Sequence, residues 1–269
     1  MRMILWLAYR KMRPAMGISV AYILMSGAFL GVMGFMVFMA AAGFLLIELF
    51  AAFYNDRWDY ADDMANKRTD KFTTLGVLDT KMCTALSAIF AVLSIFFLSF
   101  TGPLLLATGI FCIFLGVAYS HPKIRLKGSI TGYSILVSPF IVIPVFIAMS
   151  GSVPVFNALP LSVFFVCQYL YVLCQKDSTD KNDKKNVFVA YGWERASRMI
   201  ILFGGLASAF LFFLCLRNPA LLGVWAANSV LKLANANTIK NMTVNRVSRG
   251  KIILLDYISQ YLYVAVSLI

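Results

Sequence analysis

Charged side chains are absent from long stretches of this chain, and those stretches are apolar. Pro14 to Tyr54 contains one charge, Glu48, while Met82 to Ser120 and Gly128 to Gln175 contain none. Met199 to Leu231 contains only Arg217, and Ile252 to Ile269 only Asp256. A helix rises about 1.5 Å per residue and a bilayer core is about 30 Å thick. Each of the first four stretches is therefore long enough for two spans, and the last for one. Helix is the expected form, because lipid offers no partner to a bare peptide group. Breaks fall at Gly31 and Gly34, at Gly102-Pro103, in the Gly151–Pro154 run and at Asn218-Pro219. The pattern predicts an all-α, polytopic membrane protein of nine transmembrane helices in a single bundle. Their limits lie near 14–33, 35–56, 82–99, 103–120, 129–149, 156–176, 199–216, 219–235 and 252–269.

Composition agrees: 61% of residues are hydrophobic and 13% charged, against roughly 45–50% and about 25% in soluble domains. A net charge of +12 could suggest nucleic acid, but its distribution argues otherwise. With the N-terminus inside, the cytoplasmic pieces hold Arg2, Arg10, Lys11 and Arg13, then Arg57, Lys67, Arg68, Lys71 and Lys81, then Lys123, Arg125 and Lys127. They continue with Lys176, Lys181, Lys184, Lys185, Arg195 and Arg198, and end with Lys232, Lys240, Arg246, Arg249 and Lys251. Only Arg217 falls on the other side. This positive-inside bias puts the N-terminus in the cytoplasm and the C-terminus outside. The expected setting is a bacterial or archaeal cell membrane, with lipid and not nucleic acid as the surrounding partner. Met1 to Arg13 reads as a short interfacial helix and not a cleaved signal, because basic residues interrupt its apolar run. Cys83, Cys112, Cys167, Cys174 and Cys215 show no metal spacing and read as packing residues. No repeat or separate soluble part is visible, so residues 1–269 read as one domain.

The acids are concentrated. Ten of the twelve lie in two loops: Asp56, Asp59, Asp62, Asp63, Asp70 and Asp79, then Asp177, Asp180, Asp183 and Glu194. Glu48 and Asp256 lie inside spans. If the second helix runs slightly past the membrane, Asn55, Asp59 and Asp63 line one face with Asp56 beside them. Like charges at that spacing repel by a few tenths of a kcal/mol per pair, so a cation is expected. Mg²⁺ suits: it takes oxygen ligands and is usually held by one or two carboxylates plus substrate phosphates. A lone acidic loop is usually just solvated. Two of them, at equivalent ends of two spans and flanked by bases, argue for a metal-bridged polyanion. Glu48 lies seven residues before Asn55 and faces the same way, so it is a candidate to orient a second substrate or take a proton.

Asn55, Asp56, Asp59 and Asp63 match N-D-x-x-D-x-x-x-D at the end of a second span. Asn66, Arg68, Thr69, Asp70, Lys71 and Gly76 fit a continuation of the form N-R-P-D-R-P…G without its prolines, if Lys67 is an insertion. In these features, and in Arg13-Pro14 at the first span, the chain resembles the UbiA superfamily of intramembrane prenyltransferases. The second cluster departs from that family's D-x-x-x-D: Asp177, Asp180 and Asp183 are spaced three and three. Val187–Gly192 is similar to the apolar run that follows it. The loop from Tyr119 through His121 to Lys127 resembles that of the branch containing digeranylgeranylglyceryl phosphate synthase and chlorophyll synthase.

The resemblance implies a prenyl diphosphate at the cytoplasmic mouth, ionised with Mg²⁺ and transferred to a small aromatic or lipid-like acceptor. It implies metal ligands in Asn55, Asp56, Asp59, Asp63, Asp177, Asp180 and Asp183. Arg68, Lys71, Lys123, Arg125 and Lys181 would bind the diphosphate. Asp59, Asp63, Asp177, Asp180, Tyr119 and Glu48 stand as catalytic candidates. A terpene cyclase of the same superfamily would share the aspartates. A cation transporter is a third reading, although its acids should lie near the midplane and not at helix ends.

Overall fold

The computed structural model describes residues 17–65, 71, 73–124, 126, 129–177, 187–216, 219–240, 258 and 260–266. Regular structure among them is entirely helical. In order the helices are α1 (Ile18–Leu30), α2 (Phe35–Trp58), α3 (Tyr60–Ala65), α4 (Thr80–Leu98), α5 (Pro103–Ser120) and α6 (Ile130–Ser150). After a 3₁₀ turn at Val155–Ala158 come α7 (Leu159–Asp177), α8 (Val187–Tyr191), α9 (Trp193–Cys215) and α10 (Leu222–Lys240). Residues 260–266 are helical as well.

The glycine breakers act as predicted, while Asn218 lies outside the described residues. Gly31, at φ +69°, ends α1: its N–H donates to Ala28 O at 3.2 Å, and the Val32 N–H donates to Gly27 O at 2.9 Å. That is a Schellman cap, which satisfies carbonyls the helix end would otherwise leave bare. Gly102, at φ +95°, precedes Pro103 at the first position of α5, where a missing N–H is harmless. Inside α6, Pro139 deprives the Ile135 carbonyl of its helical donor, and the Ser138 hydroxyl donates to that carbonyl at 2.7 Å. A proline in a span is tolerated when the freed group is re-satisfied in this way.

The chain forms two compact units. In the first (residues 1–20 and 38–127), α2, α4 and α5 meet around the fully buried Leu98. A Cβ added at Gly43 would lie 2.6 Å from Leu98 Cγ, and one at Gly109 2.1 Å from Leu98 Cδ1. At Gly116 it would lie 2.9 Å from Phe50 Cε1. Glycine at these positions lets helices approach closely, which is how spans attract each other without a hydrophobic driving force. In the second unit (residues 21–37 and 128–269), α7 packs against both α6 and α9, and α9 against α10. Tyr22 stacks on Phe165 with centroids 4.1 Å apart and meets Phe140 edge-on at 5.3 Å.

Among the described residues, six segments are long and apolar enough to cross a membrane: α2, α4, α5, α6, Val155–Cys174 and α9. The chain is thus an integral, multi-pass membrane protein. Of the nine expected spans, α1 is described over 13 residues, and α10 runs 19 residues but carries several polar side chains. Two details differ from the charge pattern. The helix α9 begins at Trp193 and not near 199, and Glu194 and Arg198 form an exposed i,i+4 pair on its first turns. Lys232, assigned to a loop, is buried within α10.

Candidate active site

The first acidic cluster is built at the end of α2. The helix bends at Asp59 and resumes as α3, yet its ladder continues: the Asp59 N–H donates to Asn55 O at 2.9 Å, and the Asp63 N–H to Asp59 O at 2.7 Å. The expected four-residue spacing on one face is thereby kept. Asn55 is fixed at both ends of its carboxamide. Its Nδ2 donates to Asp59 Oδ2 at 2.9 Å, and its Oδ1 accepts from Ser120 Oγ at 3.2 Å. The last turn of α5 is therefore tied to the cluster. His121 closes the same corner, edge-on to Trp58 at 4.9 Å.

Asp56 and Asp63 are 1% and 4% exposed, and the cation beside them is Lys71. Its Nζ donates to Asp56 Oδ1 at 2.7 Å and lies 3.7 Å from Asp63 Oδ2. Lys71 is itself only 8% exposed. A turn follows it: Gly76 sits at φ +69° and donates to Thr73 O at 3.2 Å. The sequence alone does not reveal this pairing, because the partners stand fifteen residues apart with no shared helical face. Two buried donors of the same region were also not singled out. Trp58 Nε1 and Thr73 Oγ1 have no hydrogen-bond partner among the described residues.

Other expected residues are placed less centrally. Asp62 and Lys123 are exposed, and Tyr119 is half-buried in the last turn of α5. Asp79 caps α4 by accepting from Met82 N at 2.6 Å. Glu48 has a structural occupation: its carboxylate accepts from the Gly17 N–H, from Ser19 N at 2.9 Å and from Ser19 Oγ at 2.6 Å. It thus holds the start of α1, where backbone donors lack helical partners. Asp177 ends α7. Asp180, Asp183, Lys181, Arg68 and Arg125 lie outside the described residues.

The donor set fits Mg²⁺ in chemistry: Asn55, Asp56, Asp59 and Asp63 offer only hard oxygen ligands. Among the described residues no three acids, histidines or cysteines close around a point. The ammonium between Asp56 and Asp63 shows that this pair accommodates positive charge.

A membrane-embedded, all-helical enzyme with a carboxylate array at a helix end defines the class. The sequence profile of the UbiA prenyltransferase family matches residues 15–247, and the chain belongs to that family; it is a prenyltransferase. The fold is similar to that of a UbiA homolog from Archaeoglobus fulgidus solved with bound Cd²⁺. The TM-score is 0.58 at 13% identity, covering 91% of this chain and 95% of that one. No curated protein matches.

Proposed function

We propose that the protein ionises a prenyl diphosphate in a Mg²⁺-dependent reaction and transfers the prenyl group to a lipophilic or aromatic acceptor. The observation that carries this is the array of Asn55, Asp56, Asp59 and Asp63 with Lys71 seated among them. Mg²⁺ held by these residues, and by Asp177, Asp180 and Asp183 as assigned from the sequence, would neutralise charge building on the leaving pyrophosphate. The divalent ion in the Archaeoglobus homolog's structure supports a metal role.

The chain's own residues do the rest. Asn55, anchored by Ser120, orients Asp59. Lys71 is the buried positive charge of the site, and Arg68, Lys123, Arg125 and Lys181, assigned from the sequence, would add to it where the departing diphosphate gathers negative charge; preorganised charge of this kind lowers the barrier most in a poorly hydrated site. The acceptor then attacks the allylic carbon and loses a proton; Glu48, the candidate for that proton from sequence, is instead occupied by the donors at the start of α1. We read both compact units as parts of one domain, because the family match runs across both. We further assign nine spans, an internal N-terminus and a cytoplasmic active site, on the positive-inside distribution.

The test is incubation with prenyl diphosphates of several lengths, Mg²⁺ and native lipid extract, followed by mass spectrometry. A prenylated lipid and released pyrophosphate are expected, and both should vanish in Asp59→Asn. A protein that releases no pyrophosphate from any chain length sinks the proposal.

A further inference from the structure

Hydroxyls inside the spans of the first unit commonly stay with their own helix. Those of Thr84, Ser87, Ser94 and Thr108 each donate to a carbonyl three or four residues back, at 2.7–2.8 Å, the usual bond of a serine or threonine within a helix. Ser120, the last residue of α5, does otherwise. Its Oγ donates across to Asn55 Oδ1 of α2 at 3.2 Å, and the side chain is buried, with 6% of the residue exposed.

A serine side chain is short, so it reaches another helix only where the two backbones run close. Glycine provides that closeness along this seam. A Cβ at Gly109 would lie 3.4 Å from Ile47 Cδ1, and one at Gly116 2.9 Å from Phe50 Cε1 and 3.5 Å from Ala51 Cβ. Ile47, Phe50, Ala51 and Asn55 share one face of α2, and Gly109, Gly116 and Ser120 one face of α5. The bond from Ser120 to Asn55 is thus the polar end of an apolar contact between the two helices.

Chemistry fixes the direction of the bonds. An ionised Asp59 can only accept, so the group that Asn55 turns to Asp59 Oδ2 at 2.9 Å is its amide nitrogen. The carboxamide oxygen then faces α5, and Ser120 supplies the donor this orientation needs. Turned over, the carboxamide would set its oxygen against a carboxylate. Held at one end only, it could swing about its side-chain torsions. Held at both, it fixes the Asp59 oxygen that it touches. Groups that hydrogen-bond a metal-binding carboxylate set its orientation and, through it, the affinity for the metal.

We propose that Ser120 is a positioning residue of the metal site: through Asn55 it sets the orientation of Asp59, and with it the affinity for Mg²⁺ in the presence of the diphosphate. This role rests on the Mg²⁺-dependent reading above and extends the metal site to a neutral residue of α5.

The test titrates Mg²⁺ into the wild type, Ser120→Ala, Ser120→Thr and Ser120→Cys with two readouts. One is pyrophosphate release from a prenyl diphosphate. The other is the thermal midpoint of the detergent-solubilised full chain with a non-hydrolysable prenyl diphosphate analogue. Ser120→Ala should need about tenfold more Mg²⁺ for half its effect in both readouts, with kcat recovering as Mg²⁺ saturates. Ser120→Thr keeps the hydroxyl and should keep the wild-type Mg²⁺ requirement. Ser120→Cys, a weak donor of similar size, should fall between, and decides the matter if the alanine variant does not fold. A side chain that merely packs would lower the thermal midpoint without moving the Mg²⁺ requirement. That result, or a threonine variant as impaired as alanine, overturns the proposal. If Mg²⁺ neither activates nor stabilises the wild type, the Mg²⁺-dependent reading has failed and this role with it; if it acts equally on the wild type and Ser120→Ala, only this role has.

Discussion

Lys71 balances two carboxylates that burial would otherwise make costly. Removing one partner of such a pair leaves charge without compensation, at about 3–5 kcal/mol. Lys71→Met should therefore lower the thermal midpoint of the detergent-solubilised protein and abolish pyrophosphate release. If the midpoint and turnover stay at wild-type values, Lys71 is neither the structural counterion nor a diphosphate ligand. Glu48 makes a contrasting case. Its carboxylate takes three donors at the start of α1, and glutamine can offer them only one oxygen. Glu48→Gln should cost about 1–3 kcal/mol, with turnover per folded molecule retained. A fall in acceptor affinity at unchanged stability would instead restore the role in orienting the acceptor that its place in the span suggests.

At the scale of elements, much was legible because lipid makes the rules strict. The limits of α5 were read to the residue, since Gly102-Pro103 starts it and the polar run at Ser120-His121 ends it. The four-residue spacing of Asn55, Asp59 and Asp63 survived into the structure, because the helical ladder carries through the bend. What failed was the use of charge as a marker of helix ends. Glu194 and Arg198 are exposed side chains on the first turns of α9, so the helix begins before the uncharged stretch does. The opposite error hid Lys232, which lies inside α10, donating to Asn228 of the same helix and facing the Tyr171 ring of α7. The seat of Leu98 was also invisible, since glycine in a span has many uses. Gly109→Val would force side-chain atoms into Leu98, and overpacking of this kind costs about 1–3 kcal/mol. The variant should unfold at lower temperature while the acceptor and diphosphate KM of the surviving fraction stay unchanged. A stable Gly109→Val would mean that α4 and α5 can separate at no cost.

For the whole molecule, the proposed metal site has a consequence that does not depend on knowing the acceptor. On the proposed function, Mg²⁺ would be held by carboxylates together with substrate oxygens, and the diphosphate would need Mg²⁺ to approach the aspartates. Each should then bind weakly alone and tightly together. A ligand present at about 100 times its Kd stabilises the folded state by about 2.7 kcal/mol. Mg²⁺ with a non-hydrolysable prenyl diphosphate analogue should therefore raise the thermal midpoint of the intact protein by several degrees, and a chelator should reverse the rise. Mg²⁺ alone, or the analogue with chelator, should give little. An analogue that stabilises equally well in chelator would show that lysines and arginines alone hold the diphosphate, and the aspartates would then need another task.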